Sequence, residues 1–337
     1  MAVGVGVVLA QAERTRRLAK AQRARERRFA QLPGEPLGEG LRRMALGQLD
    51  LAIEQLAGEE KGNGAMPDAR AIHETRKALK RLRALLRLLR EELGEQRFAR
   101  EYGILRDAAR RLAGARDAEV MVGTLDALLE RHPRALGRRR TLIELRKRLV
   151  AERAAAARRT LGDETTRAEV LGELRGLRGR ASSWRLGERP GIAIVESDLR
   201  RVYRQGRRRH RRAARSSLAR RKRGRALHEW RKRVKDLRYA AEMLGLRPLA
   251  RRADTLAEIL GEEHDLALLA ALLPAPGRAP FKGKRGKQAR RALLQRIARR
   301  RRRLRKRALR EGERLYRCKP KRFARRVRRA HARASRG

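Results

Sequence analysis

The stretch HETRKALKRLR, residues 73–83, occurs a second time in the chain as HEWRKRVKDLR, residues 228–238. Each copy begins with a histidine and continues with Arg and Lys at helical spacing, and every matched pair of residues is 155 positions apart. A repeat of this period predicts a duplicated half-domain rather than the short units of a solenoid. The chain presents the same cationic surface twice, so a polyanion is the first partner to expect.

When each copy is placed on an α-helix, an apolar stripe and a cationic stripe separate. The apolar stripes consist of Ile72, Thr75, Leu79, Leu82, Leu86 and Leu89 in the first copy, and of Leu227, Trp230, Val234, Leu237, Ala241 and Leu244 in the second. The cationic stripes are displaced from them by one residue, or about 100° around the axis; they consist of His73, Arg76, Lys80, Arg83, Arg87 and Arg90, and of His228, Arg231, Lys235 and Arg238.

A cationic row on the flank of a buried face can line a groove between packed helices. For a single helix, such a row is more typical of a solvated face or of pairing with Glu four residues away. Two copies in the same phase favour the groove.

Composition predicts an all-α fold. Of the 337 residues, 41% are hydrophobic but only 3% are aromatic, so the core must consist mainly of Leu, Ala, Val and Ile. Leu, Ala, Arg, Glu and Lys are good helix formers. No segment alternates convincingly with a period of two, so we expect a duplicated helical bundle without a sheet.

The charge of the chain is extreme. Lys and Arg number 92 against 38 Asp and Glu, a formal net charge of +54, and self-repulsion at that level favours a polyanionic partner. Nucleic acid, polyphosphate and anionic membranes all meet this requirement. No run of about 18 uncharged apolar residues predicts a membrane span. Cys318 is the single cysteine, which suits a reducing compartment, and we expect a cytoplasmic protein without a membrane partner.

Segments rich in glycine and proline, which interrupt helices, suggest a division of the chain into three parts. We expect a basic N-terminal arm at 1–35, a domain at 36–330 with halves at about 36–180 and 190–330, and a basic tail at 331–337. A second repeated element supports the halves: LAGARD at 112–117 corresponds to LGEEHD at 260–265. Its aspartates, Asp117 and Asp265, are expected to cap the following helix or to pin a motif arginine.

These motifs resemble the signature helices of the CHAD domain, the conserved histidine α-helical domain. The two copies of the histidine motif and the two copies of the second element occur in the family's order, and the resemblance covers roughly residues 36–330. It implies two similar helical bundles around a central basic groove or pore that binds inorganic polyphosphate. Some members associate with polyphosphate granules. Others are fused to a CYTH triphosphate-processing domain, of which this sequence shows no sign.

The resemblance implies a binding site residue by residue. The residues that match the two signature helices are His73, Arg76, Lys77, Lys80, Arg81 and Arg83, and His228, Arg231, Lys232, Lys235 and Arg238. Arg116 and His264, from the second element, are added to them. Arg87 is added by extending the cationic stripe. The equivalent of Arg87 is Glu242, and Asp236 stands at the position of Arg81, so the two halves are expected to grip an anion unequally.

The leading hypothesis is therefore non-catalytic binding of polyphosphate or another phosphate-rich polyanion. In cells, we expect such a protein to associate with polyphosphate granules. Nonspecific nucleic-acid binding is the alternative, although ten aromatic residues offer little for base stacking. An enzyme acting on phosphoanhydrides is disfavoured, because the motif histidines sit among cations that repel a metal ion. We expect no metal and no cofactor, and we assign no catalytic residue. His132, His210 and His331 are considered incidental.

Overall fold

The computed structural model describes residues 22, 24, 26–58, 69–112, 114–137, 139–161, 164–187, 191–215, 220–275 and 277–334. Throughout these residues the regular secondary structure is helical, and no strand occurs among them. The prediction of an all-α fold is confirmed.

The first half of the chain forms seven of the described helices and one short π-helical turn at Pro133–Gly137. The helices are α1 (Leu37–Ala57), α2 (Ala69–Leu88), α3 (Arg90–Leu93), α4 (Glu95–Arg111), α5 (Gly114–Arg131), α6 (Arg140–Leu161) and α7 (Glu164–Ser182). The first histidine motif lies on α2.

The second half forms five described helices. They are α8 (Ala193–Ala214), α9 (Arg220–Met243), α10 (Arg247–Leu272), α11 (Gly283–Leu315) and α12 (Pro320–Ala334). The second histidine motif lies on α9. Asp265 lies inside α10 and Asp117 lies inside α5, so the prediction that these residues cap a following helix is wrong. In the second half the helix simply continues through the repeated element.

Helix contacts follow the same order in both halves. In the first half α1 packs against α2 and α7, α2 packs against α4, and α5 packs against α6. In the second half α8 packs against α9 and α12, α9 packs against α10, and α10 packs against α11. The halves meet where α2 contacts α8 and α9, and where α5 contacts α10. This arrangement places the two motif helices side by side.

The predicted apolar stripes of both motif helices form the core. All twelve of their residues are buried, including Thr75, whose hydroxyl donates to the carbonyl of Ala71 at 2.9 Å. The equivalent of Thr75 in α9 is Trp230, which is fully buried. A Cβ added to Gly312 of α11 would lie 2.4 Å from the Trp230 ring, so this glycine makes room for the indole.

Residues 26–35, which the sequence analysis assigns to the N-terminal arm, pack onto the helical body. Phe29 and Leu32 are buried, and the backbone N–H of Gln31 donates to the carbonyl of Met243 at 3.0 Å. The side chain of Gln31 also contacts the ring of His331 at 2.9 Å. His331 is buried within α12, so the predicted tail overlaps the last described helix. Residues 1–21 of the predicted arm and 335–337 of the predicted tail lie outside the described residues.

A buried carboxylate also joins the halves. Asp198 of α8 is about 1% exposed and accepts the backbone N–H of Glu91, at the start of α3, at 2.7 Å. Arg201 lies 2.8 Å from the other side of the same carboxylate. Burial raises the pKa of Asp198, against the opposing effect of these partners. The contact fixes α8 against the first half close to the end of α2.

Candidate anion-binding site

A cleft of about 690 Å³ runs between α2 and α9. Its lining contains eight Arg or Lys residues against three carboxylates, so the cleft carries a net positive charge. Both motif helices contribute to it: Arg76, Lys80, Arg83 and Arg87 from α2, and His228, Arg231, Lys232, Arg233 and Lys235 from α9. The remaining walls come from α4, α5 and α10, through Tyr102, Val120, Met121, His264, Asp265 and Leu268.

Two cations of α2, Arg76 and Arg83, are held in place by the first half itself. Arg76 donates to the carbonyl of Leu112, the first residue of the second repeated element. Arg83 donates to the hydroxyl of Tyr102 at 3.0 Å, and its guanidinium lies 5.2 Å from the centre of that ring. These contacts orient the guanidinium groups along the cleft without neutralising their charge.

Arg87 crosses the boundary between the halves. It donates to Asp236 of α9 at 2.9 Å and to the hydroxyl of Tyr102. The Asp236 carboxylate also pairs with Arg233 at 3.0 Å. Burial lowers the pKa of Arg87, and the charge of Asp236 opposes that shift. Asp236, which departs from the first copy of the motif, therefore acts as the counter-charge that lets two arginines be partly buried at the junction.

In the second half, Arg231 packs against the second repeated element of its own half. A Cβ added to Gly261 would lie 3.2 Å from Nη2 of Arg231, so glycine permits this close approach. Arg76 and Arg231 thus occupy corresponding places: each motif arginine contacts the second repeated element of its own half. These contacts join the two repeated elements within each half.

Two histidine rings lie side by side in the second half of the cleft, with their planes tilted by 36°. The ring centres of His228 and His264 are 4.4 Å apart. The pKa of His264 is lowered to about 4, mainly by burial and then by His228 and the cations Arg231, Lys232 and Lys235. Burial and the same cations also lower the pKa of His228, against the opposing charge of Glu229. Both rings are therefore neutral near pH 7, and a bound polyanion would favour their charged forms.

Three predicted site residues of the first motif do not line the cleft. Arg81 donates to Gln48 at 3.2 Å and lies over the ring of Phe29, which directs it toward α1. Lys77 pairs with Glu74 at 3.0 Å. His73 lies 4.0 Å from the same carboxylate. These three residues lie on the predicted helix, but their side chains lie outside the cleft between α2 and α9. The side chain of Arg116, a fourth predicted residue of this half, lies outside the described residues.

Arg238, the last residue of the second motif, lies in a neighbouring cleft of about 590 Å³. It pairs with Glu242 at 2.8 Å and with Asp254 at 2.7 Å. Although burial opposes it, these carboxylates raise the pKa of Arg238. The lining of this second cleft mixes charges, with Arg131, Arg231, Lys235 and Arg238 facing Asp254, Glu258, Glu262 and Asp265. It is therefore a weaker candidate for a polyanion than the cleft between α2 and α9.

Sequence reasoning missed two residues of the site. Arg233 stands where the first motif has Ala78, and a comparison of the copies could have identified it as an added cation. Tyr102 comes from α4, outside both repeated elements, and only the fold brings its hydroxyl to Arg83 and Arg87. Within the described part of the chain, no group of three His, Cys, Asp or Glu side chains could hold a metal ion. No described helix is long and apolar enough to cross a membrane.

Comparison with known proteins agrees with this architecture. The crystal structure of the CHAD domain from the plant Ricinus communis matches 84% of this chain and 93% of that chain, with a TM-score of 0.57 and 20% sequence identity. At this identity the likeness shows the fold alone. No curated protein matches the chain. The family model of the CHAD domain matches residues 47–274, which include both histidine motifs and both second elements. The predicted resemblance is confirmed, and the chain belongs to the CHAD domain family.

Proposed function

We propose that the chain binds inorganic polyphosphate in the cleft between α2 and α9 and holds it without chemical conversion. The observation that carries this proposal is that two matched helices direct cationic rows into one cleft. The part of the α2 row that lines the cleft, from Arg76 to Arg87, spans about 17 Å, which suits a linear polyanion. Arg offers two donors to adjacent phosphate oxygens, and Lys adds compact charge.

The aromatic side chains of the cleft favour polyphosphate over nucleic acid. Base stacking requires an open aromatic face. The Tyr102 ring is approached by the guanidinium groups of Arg83 and Arg87, 5.2 Å and 4.7 Å from its centre. Tyr239 is buried, with Arg238 5.5 Å from its ring centre. These rings support arginines rather than offer a stacking platform.

The carboxylates of the cleft favour binding over hydrolysis. A metal-dependent phosphohydrolase needs carboxylates that can hold a divalent cation. Asp236 is shared by Arg87 and Arg233, and Glu229 pairs with Lys232 at 2.8 Å. These two acids are already engaged with cations of the cleft. We therefore propose that the site is not catalytic. Polyphosphate incubated with the protein and Mg²⁺ or Mn²⁺ should release no phosphate above the protein-free rate, and measurable release would contradict this part of the proposal.

Competition binding tests the ligand. Labelled long-chain polyphosphate is bound at near-physiological salt and challenged with duplex DNA or single-stranded RNA at matched phosphate concentration. We expect polyphosphate to resist both, and its affinity to fall steeply with added salt because cations of the protein replace condensed counter-ions. Ready displacement by either nucleic acid would replace this proposal by nonspecific nucleic-acid binding.

Charge reversal tests the site. The variant Arg76→Glu, Lys80→Glu, Arg231→Glu, Lys235→Glu should lose tight polyphosphate binding. The matched control reverses four exposed cations of α11, namely Arg302, Arg303, Lys306 and Arg307, and changes the net charge by the same amount. If both variants lose affinity equally, binding depends on total charge rather than on the cleft.

We also propose that the protein accumulates on polyphosphate granules in cells that contain them. A fluorescent fusion should colocalise with stained granules, whereas the fusion of the variant reversed in the cleft should be diffuse. Colocalisation that survives this reversal would mean that another surface directs the protein there.

A further inference from the structure

A second cavity, of about 780 Å³, lies where α8, α11 and α12 meet the start of α10. It shares no lining residue with the cleft between α2 and α9. Its walls are mainly apolar and include Leu246, Pro248, Leu249, Leu315, Phe323, Val327 and Ala330. A cavity of this volume lies within the range of about 300–1,000 Å³ that is usual for small-molecule sites.

Cations surround this apolar cavity. Arg252, Arg314, Arg317 and Arg326 contribute to its lining, and its one lining carboxylate, Glu311, pairs with Arg314 at 3.1 Å. An adjoining cleft of about 560 Å³ is lined by arginine alone among the described residues: Arg317, Arg322, Arg325, Arg326 and Arg329. Arg317 and Arg326 line both spaces, so the apolar cavity lies next to a purely cationic one.

We propose that this corner binds a single-chain anionic amphiphile, with its acyl chain in the apolar cavity and its phosphate head among the arginines. The apolar walls provide the area that a hydrocarbon chain buries, and adjacent guanidinium groups can donate paired hydrogen bonds to phosphate oxygens. Polyphosphate has no apolar part and gains nothing from this cavity. The proposal is therefore independent of the function proposed for the cleft.

Charge argues against a second copy of the chain as the occupant. Each copy carries a formal net charge of +54, and the arginines at the cavity would face the like charge of its neighbour. An anionic head group would instead be attracted to these arginines. The cavity therefore suits a small anion with an apolar body better than it suits self-association.

Cys318 provides a local readout, because it lines the cavity and is the only cysteine in the chain. Its thiol lies 3.4 Å from Nη1 of Arg326. The rate of Cys318 alkylation by iodoacetamide, an uncharged reagent, is measured with increasing dodecyl phosphate below its micelle concentration. We expect saturable protection. Inorganic phosphate should give none, and dodecyl maltoside should require about tenfold higher concentration because it lacks the charge-assisted bonds of the head group.

A matched pair of variants locates the chain-binding part. Ala330 and Ala332 are both exposed on α12, but only Ala330 lines the cavity. Ala330→Glu should weaken dodecyl phosphate binding at least about tenfold in titration calorimetry, since it places a carboxylate in the apolar cavity beside an anionic ligand. Ala332→Glu should bind as the unaltered chain does, and both variants should retain polyphosphate affinity.

Three results would overturn the proposal: absence of Cys318 protection in the unaltered chain, equal protection by dodecyl maltoside, or equal loss of binding in the two alanine variants. If Ala330→Glu loses helical circular dichroism, the protection experiment on the unaltered chain still decides.

Discussion

The two motif helices share seven of the eleven motif residues but contribute unequally to the cleft. Along α2, four cations line it and no carboxylate of that helix does. Along α9, four cations are accompanied by Glu229 and Asp236, while Arg238 is drawn away by Glu242 and Asp254. The motif therefore determines which face of the helix is cationic, whereas neighbouring carboxylates determine which of those cations remain available to a ligand.

The two halves contribute different groups to the cleft. The α2 side supplies positive charge that its own neighbours orient but do not neutralise, as Tyr102 does for Arg83. The α9 side supplies the carboxylate that joins the halves, and His228, whose ring lies beside that of His264. The α2 wall therefore supplies cations without carboxylates, whereas the α9 wall adds to its cations the carboxylate that joins the halves.

The largest effect on stability is expected at Asp236. Asp236→Ala leaves Arg87 and Arg233 partly buried without their shared counter-charge, and loss of one partner from a buried pair costs about 3 kcal/mol. Urea denaturation should show this decrease in the free energy of unfolding. The double variant Arg87→Met, Asp236→Ala should be more stable than Asp236→Ala alone. If both are equally stable, Asp236 does not act through Arg87.

A smaller loss of stability is expected where the cores of the halves differ. Gly312→Ala places a Cβ against Trp230, which occupies the position of Thr75 in the other half. Overpacking of this kind costs about 1–3 kcal/mol. The control is Gly103→Ala on α4, where nothing lies within 4 Å of the added Cβ; it should be neutral or stabilising. Equal thermal unfolding temperatures for the two variants would contradict the tight packing around Trp230.

Variants of two equivalent arginines test whether the motif helices contribute equally to polyphosphate binding. Arg83 and Arg238 occupy the same position of the two motifs, but only Arg83 lines the cleft. Arg83→Gln should weaken polyphosphate binding about fivefold to tenfold, the loss of roughly one charge-assisted contact. Arg238→Gln should change the affinity less than about twofold, because its charge is already balanced by two carboxylates. Similar losses in calorimetric titrations would mean that the halves contribute equally.

A dependence of stability on pH is expected at His264. The pKa of His264 is about 4 in the folded chain, below the 6.5 of an ordinary histidine. The unfolded chain therefore binds more protons between these values, so stability is full above pH 6.5 and decreases as pH falls toward 4. His264→Gln should flatten this dependence of the urea midpoint. A urea midpoint that depends on pH equally in the variant and in the unaltered chain would contradict this role of His264.

Polyphosphate affinity should change in the opposite direction to stability. A bound polyanion favours the charged imidazoles of His228 and His264, so binding takes up protons and strengthens as pH falls from 7.5 to 6.5. The measurement is the affinity at the two pH values, with His264→Gln as the matched variant. An affinity that is independent of pH in the unaltered chain would place the phosphates away from the two histidine rings.

The sequence was sufficient for the helical class, the buried stripes and the pairing of the two motif helices, because helical periodicity is local and both copies share one phase. It could not locate Arg81 or Arg238. Arg81 contacts Phe29 and Gln48, and Arg238 pairs with Asp254, and these partners are brought near only by packing. The helix continues through the element around Asp265 because no glycine or proline follows it before residue 273.

The contact between Gln31 and His331 brings two points near opposite ends of the sequence together. The path of the chain through both halves is therefore almost a closed loop. A short linker between these two points, with a new opening placed in the connection between α7 and α8, should give a circular permutant that keeps the helix order and the cleft. In such a molecule the second half would be synthesised before the first, and the two motif helices would still meet.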